Sequence, residues 1–278
     1  MDDEMFALEA DERSVRFWSR RRLPFESTGT MLDARAALRS AIRRLSPVPG
    51  QALTASYTSL DASFCDAENI LFYNVGASAF GELAATAIRF EREHSSPAAT
   101  SSGRPFPHRQ TYRVGPVVPA RSEQPICSME FPLPRLSGDL KPHAVWWEAS
   151  RSVVTRSGES TGAFEVRVDI ELPRRVANLT AVLKPLLDGL ISALHSDRKR
   201  SPEAISRLSA KMGWLPEEIV ARLESPSTAF LGPRDLLQVY RGFVKWNPAD
   251  ELCEVGTVTQ RIGSASRAQV RIWNLRPL

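Results

Sequence analysis

The sequence predicts an α+β fold, a mixed sheet packed by amphipathic helices and divided into two modest domains, 1–150 and 151–278. Three observations carry this expectation. Residues 166–172, VRVDIEL, alternate apolar and charged at the period of a half-buried strand, and a helix follows at once. Its apolar stripe is Leu179, Val182, Leu183, Leu186, Leu187, Leu190, Ile191 and Leu194, spaced i, i+3, i+4, i+7, with Lys184 and Asp188 facing the other way as an i, i+4 pair. The chain has 278 residues, 42% hydrophobic and 24% charged, which is ordinary globular material for one large or two modest cores. A turn at Thr155–Thr161, TRSGEST, sets the expected boundary near residue 150.

From the N-terminus, an acidic opening gives way to Arg13, Arg16, Arg20, Arg21 and Arg22, read as a solvated segment whose Phe17 and Trp18 dock on the body. Met31–Leu45 reads as a helix with Leu38, Ile42 and Leu45 on one side. Arg35, Arg39 and Arg43 form a basic stripe on another, with no i, i+4 acids to offset it, and Pro47 and Pro49 stop the helix. Gln51–Leu60 reads as a strand, and GELAATAIRFERE (81–93) as the next helix. Ser95–Pro107, small, polar and proline-rich, has linker-like composition. TYRVGPVVP, SMEFPLPRL and AVWWEASRSVV read as extended segments better suited to edges or connections than to central strands, with Trp146 and Trp147 as core and rim aromatics.

In the second half, Ser201-Pro202-Glu203 starts a helix that Gly213 breaks, and Pro216 starts another through Leu223, both within an expected helical insertion at 197–235. FVKW (243–246) is strand-like. VGTVTQRI and AQVRIWNL, joined through GSASR, read as a β-hairpin closing the sheet, with Arg261, Arg267 and Arg271 along one side.

The residues ANLTAVLKPLLDGL carry a family resemblance. The stretch resembles Holliday-junction resolvases of the RusA type, in which a strand leads to Asp-x-Asp-Asn, then a helix with Lys three residues after the Asn and Asp four residues after that Lys. Lys184 and Asp188 match the helix positions. The two acids fall on Asn178 and Thr180, and the Asn on Ala181. A helix start near Thr180 suits this register, because it brings Pro185 toward the first turn, where proline is tolerated. The family's late acidic turn is matched by Asn247–Glu251, with Asp250 as the acid. The resemblance therefore implies a C-terminal domain of resolvase type that has lost most of its metal ligands. Mg²⁺ needs hard oxygen donors to neutralise phosphate and activate water, so cleavage by this half alone is not expected.

The pattern partly recurs upstream. Asp66-Ala-Glu68-Asn69 after a strand is similar to Asp-x-Asp-Asn, while Phe72 stands where the Lys belongs. Either the chain is a diverged fusion of two such units, or one match is accidental. The want of a second shared motif favours accident, and Asp61, Asp66 and Glu68 then read as a polar loop in which Asp66 or Asn69 caps the next element.

The net charge of +4 is compatible with an anionic partner. Cys65, Cys127 and Cys253 are odd in number, without C-x-x-C spacing, which suits a reduced compartment and no zinc site. The acidic start is no signal peptide, and no apolar run reaches membrane-span length, so a cytoplasmic location and no membrane partner are expected. Phosphate-binding glycine loops and the G-x-S-x-G elbow are absent. The function expected is binding of duplex or branched DNA without cleavage, through Arg35, Arg39, Arg43, Arg174 and Arg175. The alternatives are a Mg²⁺-dependent, structure-selective nuclease and a non-catalytic subunit with a protein partner. For the nuclease, the candidate catalytic set is Asp66, Glu68, Lys184, Asp188 and Asp250, with Asp66 and Glu68 on the metal; otherwise no cofactor is expected.

Overall fold

The computed structural model describes residues 4–61, 65–225 and 229–275. In chain order the elements are β1 (Phe6–Ala10), β2 (Ser14–Ser19), α1 (Thr30–Ile42), β3 (Ala52–Thr58), β4 (Ala87–Glu93), β5 (His108–Gly115), β6 (Cys127–Pro132), α2 (Pro142–Ala149), β7 (Val154–Arg156), β8 (Phe164–Leu172) and α3 (Thr180–Ala193). Then come β9 (Ser196–Asp197), α4 (Pro202–Met212), α5 (Pro216–Leu223), β10 (Pro233–Arg234), β11 (Leu237–Tyr240), β12 (Phe243–Trp246), β13 (Cys253–Ile262) and β14 (Arg267–Asn274). The fold is α+β, built on a ten-stranded mixed sheet of order β1-β2-β5-β3-β4-β13-β8-β14-β6-β7. Within it, β3 with β4 and β8 with β13 are parallel, and every other neighbouring pair is antiparallel.

Alternation decides which face is which. Along β8, Phe164, Val166, Val168, Ile170 and Leu172 are buried in the core that α2 and α3 cover. Arg167, Asp169 and Glu171 lie on the other face, where cross-strand partners neutralise them: Arg261 and Arg267 bond Glu171 at 2.7 and 3.0 Å, and Arg271 bonds Asp169. Those three C-terminal arginines thus line the polar face as ion pairs.

Several sequence expectations change. VGTVTQRI and AQVRIWNL form no hairpin: β8 lies between β13 and β14, pairing with both. The connection of residues 263–266 spans the two strand spacings, about 10 Å, within reach of a chain rising about 3.3 Å per residue. The stretch 81–93 is a single turn at Gly81–Ala84 followed by strand β4, because Ile88 and Phe90 point inward between Leu53–Thr58 and Val255–Thr259. The N-terminal arginines sit on or after a hairpin, β1–β2, that buries Phe17 and Trp18. AVWWEASRSVV is mostly helix α2, and the basic helix 31–45 ends at Ile42. β5 is an interior strand, its Pro116 and Pro119 falling just past the last paired residue. Residues 95–107 form the connection that carries the chain from β4 over to β5, where the Trp18 indole donates to the Ala98 carbonyl at 2.8 Å. The sheet also runs unbroken across residue 150, since β4 pairs with β13 and β6 with β14.

The sheet order contains a repeat. Read inward from one side, β2, β5, β3 and β4 have the directions and chain order of β6, β14, β8 and β13 read from the other, as a two-fold axis between β4 and β13 would produce. Registers align closely: Ser14 corresponds to Cys127, Ala52 to Phe164, His108 to Arg267 and Ala87 to Glu254, each the first or second residue of its strand. The displacement that carries Ala52 onto Phe164 also carries Asp66, Glu68 and Asn69 onto Asn178, Thr180 and Ala181. This is the superposition that the two motif matches alone require.

Candidate active site

β3 delivers the chain into a loop at its C-terminal end, where Asp66 opens a short helical turn. The Asp66 carboxylate accepts from the Asn69 amide N–H at 3.2 Å, so Asp66 does cap the next turn. Its other oxygen faces Lys184 Nζ at 3.4 Å. Glu68 lies one residue into that turn and is buried. From the opposite end of the sheet, α3 rises across the same face and brings Lys184 and Asp188 up one turn apart. Asp250 arrives on the turn Asp250–Leu252 that precedes β13. Lys184 Nζ stands 3.1 Å from Asp188, 3.4 Å from Asp66, 3.6 Å from Asp250 and 4.0 Å from Glu68.

The five candidate catalytic residues therefore meet around one ammonium, although they are spread from Asp66 to Asp250. Lys184 and Asp188 are not an exposed surface pair: their side chains keep 24% and 13% of their accessibility and face a cleft. Asp61 is outside the group and pairs with Arg22.

The electrostatics are those of too many carboxylates in too little water. Burial, reinforced by the neighbouring Asp66 carboxylate, pushes Asp250 up to about 8. Burial raises Asp188 to about 6 against the pull of Lys184. Burial and then Asp66 raise Glu68 well above the usual carboxylate range. Burial alone would lower Lys184, but its four carboxylate neighbours outweigh this and hold it charged.

Asn69, Lys141, Pro142, His143, Lys211, Val244, Lys245, Trp246, Asn247 and Pro248 complete the cleft around Lys184, Asp188 and Asp250. The three added lysines come from beside α2, from α4 and from β12, so no local pattern announces them. Asn69 Oδ1 is buried yet accepts no hydrogen bond among the described residues, a free oxygen at the edge of the cleft. On the other flank Phe25 and Tyr73, both substantially exposed, stack at 4.9 Å, and Lys184 Nζ lies 5.9 Å from the Tyr73 ring.

Among the described residues no three His, Cys, Asp or Glu side chains already stand as a metal cage. The donor chemistry nonetheless fits a divalent cation: clustered carboxylate oxygens, whose negative charge the single ammonium of Lys184 does not balance, and a spare amide oxygen. The arginines expected to bind nucleic acid divide. Arg35 donates to the Phe25 carbonyl at 3.0 Å, Arg39 is engaged with Ser78, and Arg43 is exposed just past α1. Arg174 and Arg175 are exposed at the opposite end of the sheet, following β8.

No protein-family model, no curated protein and no solved structure matches this chain. Its chemistry has to be argued from the site itself.

Proposed function

We propose that the protein is a divalent-cation-dependent phosphodiesterase acting on branched or duplex DNA. The observation that carries this reading is the meeting of Asp66 and Glu68 from one half with Lys184, Asp188 and Asp250 from the other. Asn178 and Thr180 stand where two acids belong, which disfavours cleavage by the C-terminal half alone; the N-terminal half supplies a carboxylate pair, Asp66 and Glu68, to the ammonium of Lys184, which itself lines the cleft. The resemblance to resolvases of the RusA type supports the substrate class.

A bound Mg²⁺ or Mn²⁺ supplies charge neutralisation on the phosphate and a more acidic water. Asp66 and Glu68 are the side chains that would hold it. Lys184 keeps Asp66 and Asp188 oriented, and Lys141, Lys211 and Lys245 draw the phosphate backbone into the cleft. Hydrolysis joins a water oxygen to phosphorus and breaks one P–O ester bond. The attacking water gives up one proton to solvent and the leaving sugar oxygen takes one, and Asp250, which lines the cleft beside Lys184, is placed to relay it.

The test is an end-labelled four-way junction beside a matched linear duplex, with Mg²⁺, Mn²⁺ or chelator, at low and moderate salt. The expected result is cation-dependent cutting of the junction in preference to the duplex, abolished by chelator. Salt-dependent binding with no cutting under any cation would leave a binding protein and overturn the enzymatic reading.

A further inference from the structure

We infer that the molecule is a fused pair of equivalent units in which one catalytic position is kept and its twin has been filled in, so that each chain makes a single incision. This rests on the phosphodiesterase reading for the word incision, and on the sheet topology for everything else. The two-fold relation that maps β3 onto β8 and β4 onto β13 predicts a second site at the other end of the sheet. There Asn178 and Thr180 stand for Asp66 and Glu68, Phe72 for Lys184, Gly76 for Asp188 and Leu83 for Asp250.

The chain does assemble at that place. The Leu179 amide donates to the Ala84 carbonyl at 3.0 Å, and Asn178 Nδ2 donates to the Ala77 carbonyl at 2.8 Å. Its chemistry is gone, however: none of the five positions carries a charge. Asn178 Oδ1 accepts from the Thr180 amide at 3.0 Å and from its hydroxyl at 2.6 Å, so the side chain closest to a carboxylate is consumed in holding the loop. Phe72 and Leu83 are buried, Phe72 with its ring edge-on to Phe80 at 5.2 Å. Nearby, the buried Gln260 side chain donates to the Ala85 and Val176 carbonyls and accepts from the Val176 amide. A divalent cation finds no anionic oxygen among these five positions.

Two measurements test this together. Mn²⁺ titration followed by electron paramagnetic resonance should show one ion per chain, lost in Asp66→Asn and retained in Asn178→Ala. Single-turnover digestion of a supercoiled circle carrying a cruciform, by protein shown to be monomeric by sedimentation, should yield nicked circle ahead of any linear product. Two equivalent ions per chain, one ion that Asp66→Asn retains, no ion at all, or coincident cutting of both strands by the monomer would each overturn the inference. If the protein binds one Mn²⁺ in this pattern but cuts nothing, the single-site assignment stands and the phosphodiesterase reading falls.

Discussion

Lys184 is held by four carboxylates, and one ammonium does not balance them. Burial and crowding raise Asp250 to about 8 and push Glu68 upward as well, so the folded state carries electrostatic strain that an isosteric amide would remove. Asp250→Asn should therefore raise stability, on the order of 1–3 kcal/mol at slightly alkaline pH, while removing activity; urea unfolding at pH 8 checks it. A loss of stability of that size would mark the group as an ordinary structural ion-pair network, in which breaking any pair is costly. The individual residues were legible in the sequence: Lys184 and Asp188 by their spacing, Asp66 and Glu68 by following a strand, Asp250 by its turn. Their convergence was not. Helical periodicity says which side of α3 is apolar but not what covers the opposite side. Here that cover is the loop after β3, more than a hundred residues away in the chain. The cleft lysines 141, 211 and 245 carried no signal at all, because each belongs to a different element.

At the scale of elements, α3 can carry the site only because it lies close against α2. A Cβ built on Gly189 would come within 2.3 Å of the Pro142 carbonyl oxygen and 2.7 Å of Val145 Cβ, so glycine is required by proximity. Gly189→Ala should cost about 1–3 kcal/mol by forcing the two helices apart. It should also weaken cleavage, since Lys184 and Asp188 ride on the displaced helix; denaturant unfolding and initial rates measure the two effects. An unchanged midpoint would mean the helices can separate freely. The strand β8, the start of α3 at Thr180, and helices α4 and α5 follow the patterns read from sequence. The failures share a cause. AIRFERE follows good helix formers, and AVWWEAS is short and aromatic-rich, yet the first is strand and the second helix. Short apolar runs of this kind fit either state until tertiary pairing decides. The apparent C-terminal hairpin failed because a four-residue connection allows a third strand between its arms as readily as direct pairing.

For the whole molecule, the repeat accounts for two partial motif matches on the proposed reading: the N-terminal unit carries Asp66 and Glu68 without the lysine, and the C-terminal unit carries Lys184 and Asp188 without the two acids. Sequence comparison of the halves showed one motif because the correspondence lies in strand order and register, which side chains hardly record. The account therefore stands on Asp66 and Asp188, contributed by opposite halves, acting on one phosphate. The most direct measurement is the cleavage rate of a four-way junction by Asp66→Asn, Asp188→Asn and the double variant, with folding of each verified. If the two carboxylates serve one centre, each single change should slow cutting by at least about a hundredfold, and the double variant should be little worse than either alone. Independent, multiplying effects, or full activity in either single variant, would contradict a site shared between the halves.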